Sequence, residues 1–144
     1  GLYQLPEAPA AHRTEELLEL FEIREVGDQL IEDYSHGMRQ KLSFASCFLH
    51  DPRIVVVDEP WVGLDPKNIR FVKDFLRERA RNGVTIFMST HSLSVIEDAA
   101  DRIGIIHNGA LLHIGSLNEI KALSRNPGSL EDVFLELTNA EAAP

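Results

Sequence analysis

The sequence of 144 residues has a single cysteine, no long apolar run, and fewer basic than acidic residues. Cys47 cannot form an internal disulfide, which is compatible with a reducing compartment. The apolar runs 54–57 and 84–88 fall far short of the roughly 20 residues that cross a bilayer. The first residues also lack the basic segment and apolar stretch of a secretory signal. We therefore expect no transmembrane helix and no disulfide framework.

The charge balance argues against an extended basic surface. Lysine and arginine total 14 and aspartate and glutamate total 23, so the net charge at neutral pH is −9. Proteins that bind nucleic acid neutralise phosphates with basic side chains, and we therefore expect no nucleic-acid partner. Hydrophobic residues make up 44% and charged residues 26%, which is ordinary for a globular domain or part of one.

Hydrophobic periodicity predicts strands that alternate with helices. We expect a loop over residues 1–13, followed by a helix that Thr14 caps. The β-branched run 54–57 is typical of a strand buried on both faces. The alternation indicates an α/β fold in which helices flank a parallel sheet. The other predicted elements are a helix after Gly37, a helix from Asp65-Pro66 to Asn82-Gly83, a strand over 84–89, a helix over 92–100, a hairpin around Asn108-Gly109, a helix capped by Ser116 and a last helix over 130–137.

Two adjacent carboxylates, Asp58 and Glu59, directly follow the predicted strand 54–57. Ligands of parallel α/β sheets bind at the carboxyl ends of the strands. One carboxylate there can hold Mg²⁺ while the other orients or deprotonates a water. From these residues alone, a solvated acidic turn remains an equal alternative.

Two further segments suit a phosphate. Residues 34–41 precede a helix N-terminus, where the Ser35 hydroxyl and unpaired backbone N–H groups favour an anion, although an ordinary helix cap explains them as well. Ser89, Thr90 and His91 end the next predicted strand. His91 is either a polar group that reaches a terminal phosphate or a histidine on a helix-entry loop.

In this order and spacing, the segments resemble the ATP-binding cassette (ABC) ATPases. Residues 34–38 align with that family's LSGGQ signature, 54–59 with its Walker B strand, 63–65 with its D-loop, and His91 with its switch histidine. The resemblance runs from about residue 14 to about residue 138. Residues 129–138 also look similar to the tail of drug-resistance and ABC-2 exporter cassettes.

The resemblance implies a P-loop NTPase-like fold, ATP and Mg²⁺ as ligands, and a head-to-tail dimer of two cassettes. It implies that Asp58 supports the metal, that Glu59 acts on the attacking water and that His91 contacts the γ-phosphate. His36 and Met38 depart from the usual glycine and glutamine of the signature, which we do not interpret as inactivating. The residues expected to contact nucleotide or the dimer interface are Ser35, His36, Gly37, Met38 and Asp65.

No G-x-x-x-x-G-K-[ST] phosphate loop occurs in the 144 residues. We therefore expect the C-terminal part of a cassette, with part of the helical subdomain in 1–50, the second half of the catalytic core in 51–123 and a helical tail in 124–144. The parent protein is expected to hydrolyse ATP, whereas this chain alone is expected to be inactive and to bind neither ATP nor Mg²⁺ tightly. The resemblance also implies that the strand of the missing phosphate loop would pair with strand 84–89, so we expect an unpaired edge there and self-association of the chain.

Our leading hypothesis is that the chain is part of the ATPase subunit of a transporter. We favour an exporter over an importer. It implies a transmembrane permease partner and a cytoplasmic location at the membrane periphery. Two alternatives stay open: an ABC ATPase without a transport role, and a truncated cassette that only dimerises or regulates.

Overall fold

The computed structural model describes residues 6–124 and 128–140, and it divides the chain into two units, Gly1–Ser89 and Thr90–Pro144. The first unit contains helices α1 (Glu7–Leu20), α2 (His36–Phe48) and α3 (Pro66–Arg81), strands β1 (Ile54–Asp58) and β2 (Thr85–Ser89), and 3₁₀ turns at Arg24–Val26 and Ile31–Asp33. The second contains helices α4 (Leu93–Ile96), α5 (Leu117–Lys121) and α6 (Leu130–Ala140) and strands β3 (Ile103–His107) and β4 (Ala110–Gly115).

Helix α1 begins well before the predicted cap. Pro6 precedes the first helical residue, Glu7, so part of the expected loop over 1–13 is helical. The Thr14 hydroxyl donates to the carbonyl of Ala10, one turn back, at 2.8 Å. A threonine inside a helix can make this bond instead of capping the helix start. The prediction of a helix start at Thr14 is therefore wrong.

Strands β1 and β2 form a parallel pair, as the alternation predicted. Ile54 lies opposite Thr85, Val56 opposite Phe87 and Asp58 opposite Ser89. Val55 is buried, but Ile54, Val56 and Phe87 are exposed by 66%, 70% and 64%. Successive side chains of a strand point to opposite faces, so the exposed residues share one face. The prediction of burial on both faces is wrong within the described residues, because nothing there covers this second face.

An aromatic core holds the three helices of the first unit together. Phe21, which follows α1, packs edge-on against Phe75 of α3, with their ring centroids 5.1 Å apart. Phe48 of α2 packs edge-on against the same ring at 4.8 Å. The guanidinium of Arg79 lies 4.9 Å from the Phe75 centroid, a cation–π distance. Phe75 is therefore the point at which the three helices meet, and α3 also packs against β2.

The second unit is built on an antiparallel hairpin. The turn residues Asn108 and Gly109 have φ values of 47° and 78°, as the expected type I′ turn requires. Ser116 and Glu119 form the predicted capping box at the start of α5. Helix α4 covers only Leu93–Ile96 and is shorter than the predicted helix over 92–100. Within 6–124 and 128–140, no helix is long and apolar enough to cross a membrane.

Candidate functional site

The parallel pairing of β1 and β2 brings Asp58 and Ser89 side by side. Each is the last residue of its strand, and the register aligns them. The Ser89 hydroxyl donates a hydrogen bond to Oδ1 of Asp58, and both residues are exposed. The carboxyl ends of two neighbouring strands therefore present a carboxylate and a hydroxyl together to solvent.

Glu59 follows with a left-handed backbone. Its φ of 47° is uncommon for a residue with a side chain, and it turns the chain sharply away from the strand. The Glu59 N–H donates to the carbonyl of Ser89 at 2.9 Å, and its carbonyl accepts from the N–H of Val62 at 3.3 Å. Such conformations persist where surrounding contacts fix them, and they concentrate at functional sites.

The donor set at the strand ends fits Mg²⁺. A carboxylate and a hydroxyl are oxygen ligands, and Mg²⁺ usually binds through one or two carboxylates while it keeps several waters. The described residues contain no group of three or more His, Cys, Asp or Glu that could enclose a metal. Asp58, with Ser89 beside it, could therefore hold Mg²⁺ in an open site.

The segment Tyr34–Met38, called the signature segment below, forms the start of α2. Ser35 is the N-cap, and its Oγ accepts from the N–H of Met38 at 3.2 Å. Tyr34 is buried, and its hydroxyl donates to the carbonyl of Val26 at 2.7 Å, which anchors the segment. The N–H groups of a helix's first turn have no partner within the helix and carry its positive dipole end. Ser35 is exposed there, so the segment can accept an anion from solvent.

The loop Pro60–Leu64, called the linking loop below, connects the carboxylates to α3 and contacts the signature segment. Nε2 of Gln40 donates to the carbonyl of Val62 at 3.1 Å. The His36 ring lies against Gly63, since a Cβ built on Gly63 would be 1.8 Å from Cδ2 of the ring. Gly63 also has a φ of 80°, so two constraints favour glycine there.

Asp65 caps helix α3, as predicted. Its Oδ1 accepts from the N–H of Asn68 at 2.9 Å, and its Oδ2 accepts from the side-chain amide of Asn68 at 2.7 Å. The backbone hydrogen bond from Asn68, together with the amide contact, lowers the pKa of Asp65 below its ordinary value. Its carboxylate therefore serves as the helix cap, and any role at an interface is additional.

His91 lies in the second unit, immediately after the end of β2. It is exposed, and its carbonyl accepts from the N–H of Leu93 at 3.1 Å. The Thr90 hydroxyl oxygen accepts from the N–H of Ser92 at 3.0 Å, which shapes the same turn. The position after the strand agrees with the sequence prediction, while the catalytic role of His91 stays a prediction.

Three contributors to the site were not predicted as such. Ser89 was grouped with His91, although the register makes it the partner of Asp58. The contacts of Gln40 and Gly63 with neighbouring segments had no signal in the sequence, because they join residues more than 20 positions apart. Only the alignment of two strand ends could have identified Ser89.

Comparison with known proteins identifies close similarities. The model of a family described as "AAA domain, putative AbiEii toxin, Type IV TA system" matches residues 5–97. The bacitracin transport ATP-binding protein BcrA of Enterococcus faecalis is 38% identical over 112 residues, which are 77% of this chain and 36% of that protein. The daunorubicin resistance ATP-binding protein DrrA3 of Streptomyces coeruleorubidus is 34% identical over 121 residues, which are 84% of this chain and 38% of that protein.

A solved structure agrees with these relatives. The chain described as the ATP-binding subunit of an ABC transporter superposes with a TM-score of 0.85 at 34% identity. The alignment covers 94% of the present chain and 57% of that one. The chain thus spans little more than a third of the length of the two relatives and just over half of the solved chain. The similarity confirms the predicted P-loop NTPase-like fold class.

Proposed function

Because the chain belongs to the AAA-domain family and, within it, to the ATP-binding cassettes of ABC transporters, we propose that it forms part of an ATP-hydrolysing transporter subunit. The observation that carries this proposal is the placement of Asp58 and Glu59 at the carboxyl end of β1, where Ser89 supports both of them. In-line attack of water on a terminal phosphate needs a metal ligand and a group that positions the water. The two adjacent carboxylates provide one of each.

Within one nucleotide site, Asp58 would hold Mg²⁺, directly or through water. The metal, when bound, neutralises charge that develops on the phosphate oxygens. Glu59 would orient or deprotonate the attacking water, and its left-handed backbone directs the residue out of the line of the strand. His91 would contact the γ-phosphate and stabilise the charge that develops there.

The signature segment would serve the nucleotide of a second cassette. Its Ser35 hydroxyl and the N–H groups of His36 and Gly37 form a helix N-terminus that is open to an anion, and Met38, whose N–H donates to Ser35 Oγ, completes this turn. A head-to-tail dimer would place this terminus against the γ-phosphate that the partner cassette holds. Asp65, at the start of α3, would lie at the same interface and would signal between the two cassettes.

A membrane permease would be the other partner, and the subunit would work at the cytoplasmic side of the membrane. The names of BcrA and DrrA3 refer to bacitracin transport and to daunorubicin resistance, which supports export over import. The inferred domain roles are a helical subdomain in 1–50, catalytic core in 51–123 and a helical tail in 124–144.

The first test uses the 144-residue chain. No phosphate loop occurs in its sequence, so we expect no ATP hydrolysis and no ATP affinity in the micromolar range. Titration calorimetry with ATP and Mg²⁺ measures this directly. A dissociation constant in the micromolar range would contradict the assignment of this chain as an incomplete site.

The second test uses the subunit joined to a segment that supplies a phosphate loop. Glu59→Gln should abolish turnover while ATP binding persists, because the amide cannot accept the proton of the attacking water. Glu78→Gln, an exposed residue of α3, is the matched control and should leave turnover unchanged. Normal turnover of E59Q would overturn the role assigned to Glu59.

A further inference from the structure

The His36 ring lies so close to Gly63 that a side chain on residue 63 would require this exposed ring to move. A Cβ on Gly63 would approach Cδ2 of His36 to 1.8 Å and Nε2 to 2.2 Å. Real Cβ atoms essentially never make such contacts, so the imidazole occupies the space that a side chain would need. By contrast, a Cβ on Gly37 would meet only the Gly63 carbonyl, at an ordinary 3.7 Å. The ring of His36 therefore fits the bare backbone of the linking loop.

A second contact fastens the same loop to the same helix. The Gln40 amide donates to the carbonyl of Val62, one residue before Gly63. His36 and Gln40 are four positions apart on α2 and so share one face of the helix. The Val62 N–H in turn donates to the carbonyl of Glu59. A continuous chain of contacts thus runs from α2 through Val62 to the backbone of Glu59.

We propose that His36 is a positioning residue that holds the linking loop against α2, so that Glu59 and the signature segment keep one fixed geometry. The functional consequence rests on the proposed function, whereas the contact itself does not. Glu59 has a strained backbone, and such a conformation needs surrounding contacts that fix it. His36 supplies one through Gly63, and Gln40 supplies another through Val62. The two groups expected to act on different nucleotides would then move together.

A mutant cycle on the 144-residue chain tests the contact. Gly63→Ala should lower the urea midpoint more than Gly83→Ala does, because Gly83 has a similar positive φ of 92° but open space around it. In the H36A background the two alanine substitutions should cost the same. We expect the interaction between positions 36 and 63 to change the folding equilibrium constant by about tenfold. Equal effects of G63A and G83A with His36 present would overturn the proposal.

Quenching of Trp61 fluorescence in the native state reports on the position of the linking loop, and a contact that only stabilises the fold would not change it. Trp61 is the only tryptophan, it lies in the linking loop, and it is 3% exposed. His36→Ala should increase acrylamide quenching of Trp61 in the native state, well below the unfolding transition. His36→Phe, which keeps a ring against Gly63, should restore the parent quenching. His113→Ala, an exposed histidine of the second unit, is the control and should change nothing. Unchanged quenching in H36A would overturn the proposal.

Measurements of kcat and KM for ATP separate the positioning role of His36 from the proposed function. In the subunit joined to a phosphate-loop segment, H36A should lower kcat more than it raises KM for ATP, since a misplaced Glu59 affects the transition state more than binding. A raised KM with unchanged kcat would show that His36 acts on the nucleotide and would overturn the positioning role. H36F should recover kcat. If the quenching and mutant-cycle results hold but H36A leaves kcat unchanged, the role in positioning Glu59 is wrong. If the parent subunit itself hydrolyses no ATP, the proposed function fails while the contact stands.

Discussion

Replacement of Phe75 by leucine should destabilise the first unit far more than its change in size suggests. The Phe75 ring is 5% exposed and makes edge-on contacts with Phe21 at 5.1 Å and Phe48 at 4.8 Å. The Arg79 guanidinium lies 4.9 Å from its centroid. Leucine fills much of the space but removes all these ring contacts. Because the contacts join α1, α2 and α3, their loss should loosen the helices that hold the candidate site.

The expected cost is the sum of three ring interactions. Each edge-on aromatic pair contributes about 0.5–1.5 kcal/mol beyond its buried area. A cation–π contact adds about 0.5–1 kcal/mol. F75L should therefore lower the free energy of unfolding by about 1.5–4 kcal/mol, which is a large part of the stability of a small domain.

Urea unfolding followed by Trp61 fluorescence measures this cost within the same unit. Phe87→Leu is the matched control, because Phe87 is 64% exposed on β2 and should cost less than about 0.5 kcal/mol. If F75L and F87L cost the same, the aromatic core does not hold the unit together. A loss below about 1.5 kcal/mol for F75L would refute the estimate from ring contacts.

Two further predictions concern pH and association. The backbone hydrogen bond from Asn68 lowers the pKa of Asp65 in the folded state. The Asp65 carboxylate therefore stabilises the fold at pH values above its ordinary pKa, and this stabilisation is lost as the pH falls through the lower pKa of the folded state. Asp65→Asn keeps a capping oxygen, and its urea midpoint should therefore fall less than that of the parent between neutral pH and about pH 3; equal falls would contradict the assignment. The exposed apolar face with Ile54, Val56 and Phe87 should make the chain self-associate, and Phe87→Lys should reduce this in sedimentation velocity. A parent chain that stays monomeric at high concentration would refute that expectation.

Local chemistry allowed several elements to be predicted from sequence. Asp65 and Pro66 start α3, Ser116 starts α5, and Asn108 begins a type I′ turn, because each of these depends on residues within four positions of one another. A cap or a tight turn is determined by its own side chain and the nearest N–H groups. The α/β order and the parallel pair followed from the same kind of local pattern.

The failures have a different physical cause. Threonine is a common N-cap residue, but its hydroxyl can equally donate to the carbonyl one turn back, as that of Thr14 does. The sequence does not distinguish a capping threonine from one inside a helix. The run 54–57 has the composition of a fully buried strand, but burial needs a partner that covers each face. Val55 is covered and Val56 is not, although the two residues are identical. Residue type predicts what a face can tolerate, while packing decides which faces are covered.

The candidate site contains both local features, which the sequence predicts, and contacts between residues far apart in the sequence, which it does not. Residues joined by such a distant contact cannot be substituted independently. Asp58 and Glu59 could be located from sequence because a strand end places them, whereas the contact of His36 with Gly63 arises only when residues 27 positions apart meet. His36 of the signature segment and Gly63 of the linking loop therefore form one structural contact, although they belong to two separate sequence motifs. Replacing His36 with glycine therefore removes a contact with the loop. Within residues 6–124 and 128–140, the side-chain hydrogen bond from Gln40 to Val62 then still joins α2 to the linking loop. H36G should then make Gln40→Ala more costly than it is in the parent chain, by urea unfolding and by Trp61 quenching alike. Additive effects of the two substitutions would show instead that the histidine and the glutamine hold the loop independently.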